Sequence, residues 1–252
     1  MVRQSETGTE DNSDKSAGRR KRGTIRETVM TIIWAGLIAF GCRVFFFEPF
    51  NIPSGSMLPT LKIGDYLFVS KFSYGYGQYS FPYSPVGFSG RILGDGPERG
   101  DVAVFRKPTD TSIDFIKRVV GLPGDTIQVI EGVLHINGEP VERILVDDYQ
   151  AEYGEGLGGS VRQYVEVLPN GVEHPILEAM GDDWRLDNTA EFTVPAGHYF
   201  AMGDNRDHSQ DSRVLGDVGF IPVENFIGRA TIIFFSIGED GIRFDRLFDV
   251  VD

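Results

Sequence analysis

One apolar run near the start of the chain limits what the rest can be. "TVMTIIWAGLIAFGC", Thr28–Cys42, carries no charge, and beyond Arg43 the apolar character resumes in "VFFF". Thr28 to Phe47 is 20 residues, which as a helix reaches about 30 Å, the hydrocarbon thickness of a bilayer. Arg43 sits close to the far end, where a long cationic side chain can reach the headgroups. The spacing predicts a single membrane-spanning helix over 25–47. A cleaved signal peptide shows the same order of basic and apolar stretches, and "AFG" before Cys42 offers a small-x-small pattern. The length of the run, and the arginine and three phenylalanines after it, favour a retained anchor.

The charge around this run sets its direction. Arg19, Arg20, Lys21, Arg22 and Arg26 cluster before it, and through Glu27 seven Lys/Arg stand against five Asp/Glu. The chain as a whole carries −13, so everything after the run is acidic. The positive-inside rule places the N-terminus in the cytoplasm and the residues past Phe47 across the membrane. Residues 1–24 are rich in Ser, Thr, Gly and charge, and are expected to be a disordered cytoplasmic tail. An acidic body argues against nucleic acid as a partner. The single cysteine, Cys42, excludes an intrachain disulfide and any cysteine-based zinc or redox motif.

After Phe47 no long stretch keeps a helical period. Short β-branched and aromatic runs recur instead ("YLFVSKF", "DVAVF", "FIKRVVG", "TIQVI", "HYFAMG", "RATIIFFSI"), divided by Gly, Pro, Asn and Asp. Asn137-Gly138 between alternating residues predicts a tight hairpin turn. The body is expected to be mainly β. "YGYGQYSFPYSPVGFSG", Tyr74–Gly90, is uncharged and aromatic, a composition suited to a membrane interface. Residues 147–188 are acidic and irregular. The four histidines, His135, His174, His198 and His208, are scattered, and no metal site is expected. No cofactor is expected either.

"IPSGSMLPTL", Ile52–Leu61, raises the question of chemistry. Gly55 can take a positive φ and lets another backbone approach, and Pro53 stiffens the chain ahead of it. Such a turn projects the Ser56 hydroxyl and its own N–H into one space, the pairing that acyl transfer needs. Ser54 could add a hydroxyl donor. An ordinary surface turn has the same composition, so a base is needed to separate the two. In "IDFIKRVVGLPGD", a strand from Ile113 to Val120 puts Lys117 in a row with Ile113, Phe115 and Val119, and Arg118 on the opposite face. A lysine there either covers apolar surface with its stem or is desolvated until its amine is neutral and can accept a proton. The third stretch, "GDNRDHSQDSR", Gly203–Arg213, is either a polar turn or a support. In the latter case Ser209 orients the lysine amine, and Asp204, Asp211, Arg118, Arg206 and Arg213 form ion pairs. A Ser-His-Asp arrangement using His208 with Asp207 or Asp211 is the competing hydrolytic reading. A membrane-anchored β-rich binding module is the competing reading without chemistry.

Taken in order, the membrane helix, "EPFNIPSGSMLPTLKIGDYLFVSKFSYG", "RGDVAVF", "DFIKRVVGLPGD", "MGDNRDHSQDSR" and "GFIPVENFIGRA" resemble the bacterial type I signal peptidases, membrane-bound serine proteases of the Ser/Lys-dyad type. The matching segments cover roughly half the chain. The resemblance implies a transmembrane helix followed by a two-lobed, mainly β catalytic domain. Its core would comprise 48–72, 95–124 and 199–252, and its inserted β-rich lobe 73–94 and 125–198. It implies Ser56 as nucleophile, Lys117 as general base, Ser209 as the lysine's hydrogen-bond partner, and an oxyanion site from the Ser56 N–H and the Ser54 hydroxyl. Arg118, Asp204, Asp211 and Arg213 match positions that brace such a site. Phe50, Ile52, Met57, Leu61, Phe115 and Ile116 match those lining shallow pockets for small side chains. His208 departs from the asparagine many members carry there, and Val214–Asp217 lengthens a loop. The implied reaction is removal of signal peptides after small-x-small sites. The implied partners are preproteins and the lipid bilayer, for a monomer close to the secretion translocon. The implied location is the cytoplasmic membrane, with the catalytic domain on its outer face.

Overall fold

A computed structural model describes residues 14–81, 90–152 and 154–251, with side chains from residue 24 onward. The first part of the tail, 1–13, and residues 82–89 of the aromatic stretch lie outside the described residues. The chain divides into two compact units, Met1–Arg43 and Val44–Asp252. The first is built on a single helix, α1 (Asp14–Phe45). It begins within the stretch expected to be disordered, because lysine, arginine and alanine extend a helix readily. Its segment Thr24–Phe45 holds an 18-residue window of mean hydropathy 1.8, none of it buried. Ile32, Trp34, Leu37 and Ile38 are all exposed, so apolar side chains point outward around the helix, as a lipid-facing span requires. The hydroxyls of Thr28 and Thr31 donate to the carbonyls of Thr24 and Glu27, at 2.8 and 2.9 Å. Their polarity is thereby satisfied within the helix.

The second unit is mainly β, as the short alternating runs predict. Its largest sheet contains β1 (Phe47–Asn51), β2 (Asp65–Ser70), β3 (Val102–Lys107), β4 (Asp110–Gly121), β13 (His198–Met202), β14 (Ile221–Pro222) and β15 (Phe226–Gly238). They lie in the order β1-β2-β15-β3-β4-β13-β14, and β16 (Gly241–Ile242) pairs with β15. A second sheet joins β8 (Glu142–Leu145), β9 (Tyr149–Gln150), β10 (Ser160–Val167) and β11 (Glu173–Glu178). A third joins β5 (Thr126–Ile130), β6 (Val133–Ile136), β7 (Glu139–Pro140) and β12 (Phe192–Thr193). All of the strand pairs are antiparallel. The predicted hairpin joins β6 to β7, with Asn137 at φ 56° and Gly138 at φ 82°, the pair of positive values its type of turn demands.

The long strand β15 organises the core. In its register Ala230 faces Val69 and Ile233 faces Leu67, and all four side chains are buried in one cluster with Ile52, Met57, Leu61 and Val104. The "IPSGSM" turn is therefore pinned to the large sheet by the residues on either side of its serines. Leu58, in the same turn, packs in a different cluster with Val161 and Leu177 of the second sheet. The turn thus sits where the two sheets meet.

Candidate active site

Chain direction brings Ser56 into place. After β1 the chain leaves the sheet at Ile52, whose N–H still donates to the Asp65 carbonyl at 2.8 Å. It then closes a short 3-10 turn, Gly55–Met57. Gly55 does not use a positive φ, contrary to the expectation. Space at its α-carbon is tight: a Cβ there would lie 3.0 Å from the Leu58 side chain and 3.3 Å from the Glu155 carbonyl oxygen. The first turn of a helix leaves its N–H groups without intrahelical partners, so the Ser56 N–H is free to face outward. The Ser54 hydroxyl lies 3.4 Å from the Ser56 hydroxyl.

β4 delivers Lys117. Its Nζ donates to Ser56 Oγ at 2.6 Å and to the Ile116 carbonyl at 2.8 Å. The Phe115 ring centroid is 5.4 Å away. The side chain is only 4% exposed. Burial pushes the Lys117 amine down to about 8, against a partial upward pull from Asp211 and Asp204. Loss of water, with a smaller push from Arg213, dominates here over the nearby carboxylates.

The adjacent Arg118 points to the other face and is wholly buried. It forms a bidentate pair with Asp204 at 2.9 and 2.8 Å, and its Nη1 donates to the Gly100 carbonyl at 2.8 Å. Burial alone would raise the Asp204 pKa, but Arg118 outweighs it and the net shift is downward. The same balance, with Arg213 as the cation, lowers Asp211. Asp211 holds Arg213 at 2.9 Å through both oxygens and accepts the Gly203 N–H at 3.1 Å.

The "GDNRDHSQDSR" loop packs directly against the serine turn. Asn205 donates from its backbone to the Ser56 carbonyl at 3.2 Å, and from its side chain to the Gly55 carbonyl at 3.0 Å. Gly203 must be glycine: a Cβ there would fall 2.2 Å from Ser209 Oγ and 2.5 Å from the Ser56 carbonyl oxygen. Ser209 departs from expectation. Its buried Oγ makes no hydrogen bond to the Lys117 amine, whose partners are Ser56 Oγ and the Ile116 carbonyl. The hydroxyl instead sits against Gly203 and beside the Asp211 carboxylate, whose lowered pKa it supports.

An open groove of about 540 Å³ leads to the two side chains. Of the expected pocket residues, Phe50, Ile52, Phe115 and Ile116 line it, joined by Val104 and Ile113. Met57 and Leu61 do not; both are completely buried in the core cluster behind Ile52. His208 and Gln210 stand at the polar end of the groove. The carboxylates beside His208 are engaged elsewhere: Asp207 accepts the Met180 N–H at 2.6 Å and Asp211 holds Arg213.

Three supporting residues, Thr60, Glu166 and His174, were not among the expected site residues, and Arg206 was expected only as an ion-pair former. Thr60 donates to Asp204 at 2.5 Å. Arg206 forms a bidentate pair with Glu166 at 2.8 and 2.6 Å, and His174 lies between Glu166 and Asp204. Arg206 belongs to the conspicuous loop and carried a signal in its composition, whereas Glu166 and His174 lie on a distant hairpin and carried none. The carboxylates of Glu178, Asp187 and Asp207 also gather within 4.8 Å of one another, a cluster the scattered histidines did not foretell. Burial pushes the Glu178 carboxyl up to about 8, so a proton relieves the mutual repulsion near neutral pH.

The pattern described as signal peptidase, peptidase S26, matches residues 25–235. The protein named signal peptidase I of Rickettsia typhi is 44% identical over 222 residues, covering 84% of this chain and 81% of that protein. Its namesake in Rickettsia canadensis is 46% identical over 208 residues, covering 79% and 76%. A crystal structure of a signal peptidase I from Enterococcus faecalis is 27% identical, covers 54% of this chain and 97% of that chain, and has a TM-score of 0.31.

Proposed function

The chain belongs to the signal peptidase family, peptidase S26, serine proteases that remove signal peptides, and from that premise we propose that Ser56 is its nucleophile and Lys117 its general base. The observation that carries this reading is the 2.6 Å contact between Lys117 Nζ and Ser56 Oγ inside a buried, apolar surround. A neutral amine has one lone pair and can take the serine proton as the oxygen attacks the scissile carbonyl; an ammonium cannot. The bond formed is Ser56 Oγ to the carbonyl carbon. The proton then passes from the lysine to the leaving amine, and water releases the acyl group by the same route in reverse. His208 is a weaker base candidate, because Asp207 and Asp211 are committed to other donors.

The Ser56 N–H and the Ser54 hydroxyl serve as oxyanion donors. Ser54→Ala is expected to lower kcat about 10²-fold with KM nearly unchanged, the usual loss for one such donor. Steady-state kinetics on a purified preprotein check this, and an unaltered kcat would remove Ser54 from the site. Ser209 shapes the loop beneath the dyad, with Asp211 and Arg213, and Arg118–Asp204 fixes β4 to that loop. The apolar groove walls of Phe50, Ile52, Phe115 and Ile116 suit small side chains by excluding large ones, which favours Ala-x-Ala-like sites.

In the same reading α1 anchors the enzyme once in the bacterial cytoplasmic membrane with its N-terminus inside, as the basic cluster before the span favours. Ser56 is nine residues past Phe47, so the chemistry lies near the outer surface, where a signal peptide's cleavage site emerges. Confinement to that surface raises the effective concentration of enzyme and substrate. Segments 48–72, 95–124 and 199–252 form the catalytic core, and 73–94 with 125–198 the inserted lobe. The two smaller sheets fall within 125–198, which supports this division. The enzyme acts as a monomer near the translocon.

Incubating a purified preprotein with wild type and with Ser56→Ala, then mapping the new N-terminus by mass spectrometry, tests the assignment. Wild type should cut after a small-x-small site and Ser56→Ala should leave the preprotein intact. Equal cutting by both would overturn it.

A further inference from the structure

His174 lies on β11, directly across from Glu166 on β10, and is 1% exposed. Its Nε2 is 3.2 Å from the Glu166 carboxylate and its Nδ1 is 3.5 Å from the Asp204 carboxylate, close polar contacts that fall short of hydrogen-bond geometry. Each of those carboxylates is also bound bidentately by an arginine, Arg206 and Arg118 respectively. The imidazole thus stands between two buried ion pairs, one reaching Lys117's own strand and the other reaching the loop that holds the serine turn.

We propose that His174 is a positioning residue for the hydrolytic reaction, acting through its Nδ1 on Asp204 to hold segment 203–205 against the serine turn. The proposal rests on the assignment of Ser56 and Lys117 above. The contacts that transmit the effect are short. Asp204 accepts from Arg118, the neighbour of Lys117, and from Thr60, four residues past Ser56. The Asp204 carbonyl accepts the Leu177 N–H from β11 at 2.8 Å. The next residue, Asn205, holds the carbonyls of both Gly55 and Ser56. Gly203 on the other side touches Ser209 and the Ser56 carbonyl so closely that no Cβ fits. A carboxylate that shifts when its histidine partner is lost therefore moves the serine relative to the lysine amine. Misplacement of reacting groups on the scale of an ångström lowers turnover steeply without touching substrate binding. The groove walls that contact substrate are on other elements, and His174 is not among the residues lining the groove.

The two ring nitrogens can be tested separately, because an asparagine amide overlies Nδ1 and a glutamine amide reaches Nε2. His174→Asn keeps a polar group beside Asp204, His174→Gln keeps one beside Glu166, and His174→Leu keeps neither. His174→Asn is expected to retain kcat within about threefold of wild type. His174→Gln and His174→Leu are expected to lose about tenfold or more in kcat, with KM within about twofold. Urea midpoints of all three are measured alongside. A purely structural role predicts losses that follow the midpoints and a glutamine variant no worse than the asparagine one. That pattern, or three variants with wild-type kcat, would overturn the proposal. If His174→Leu does not fold, the asparagine and glutamine pair decides alone. A Ser56→Ala control in the same series reads the catalytic assignment by itself. Residual cutting by that control would reject the dyad, and the positioning role with it, whereas an inert control leaves the His174 series to judge positioning.

Discussion

Lys117→Met is expected to fold more stably than wild type at neutral pH while losing about 10³-fold or more in preprotein cleavage. The methionine stem fills nearly the same volume in the same apolar row, so packing is little disturbed. The activity falls because the Ser56 hydroxyl loses the group that takes its proton. The stability rises because a buried ammonium is removed. In the folded protein this amine titrates at about 8, below its ordinary 10.5, with burial as the main cause. A folded-state pKa below the unfolded one means that the unfolded chain holds the proton more tightly between those values. Stability of wild type therefore rises as pH climbs from 8 to 10.5. The full penalty is present below 8 and amounts to at most about 3 kcal/mol. The hydrogen bonds lost to Ser56 and Ile116 subtract from the gain. Urea denaturation at neutral pH and above pH 10.5 checks the sign: the methionine variant should lead at the first and lose its advantage at the second. A variant that is less stable at neutral pH, or that still cuts within about tenfold of wild type, contradicts the account.

Breaking the Arg118–Asp204 pair should have the largest effect on folding. Both side chains are at most 1% exposed, and two hydrogen bonds of 2.9 and 2.8 Å join them. Arg118→Met leaves the Asp204 carboxylate buried without its guanidinium, a loss of about 3–5 kcal/mol. Adding Asp204→Leu removes the stranded charge and is expected to restore much of that stability, since apolar replacement of a whole buried pair is often close to neutral. Cleavage should stay low in the double variant, because segment 203–205 no longer has Asp204 to hold it to β4 and Thr60. Urea midpoints of the two single variants and the double variant complete the cycle. Strictly additive losses would mean that the two residues do not act as a pair.

Much of the site was legible in the sequence because its chemistry is local. The serine turn, the lysine on a two-residue alternation and the crowded polar loop each occupy a short stretch, and period and turn chemistry read such stretches well. The Asn137-Gly138 hairpin is another case, since positive φ at two adjacent positions leaves few residue choices. The membrane-length helix was legible by length and hydropathy alone. What stayed hidden depends on pairings far apart in the chain. His174 and Glu166 are cross-strand neighbours on one hairpin, but their approach to Asp204 and Arg206 is set by how two sheets pack, which no local pattern encodes. Met57 and Leu61 were expected beside the substrate from the resemblance and are buried in the core, Met57 in the 3-10 turn and Leu61 just beyond it, in a stretch with no period that tells its inner face. Ser209 was expected to reach the lysine amine, but its hydroxyl sits against the bare α-carbon of Gly203 and beside Asp211, a placement set by how the loop folds on itself. Of the two uses expected of Gly55, the close approach of another backbone, Glu155, is present and the positive φ is not.

The central claim is that a neutral Lys117 amine serves as the base for Ser56, and the pH dependence of kcat/KM on an intact preprotein tests it most directly. From about pH 6 upward the rate constant should climb tenfold per pH unit and level off above about pH 8, following deprotonation of the free enzyme's base. An inflection near 6.5, the ordinary range of a histidine, or a rate that does not depend on pH across that interval, would contradict it.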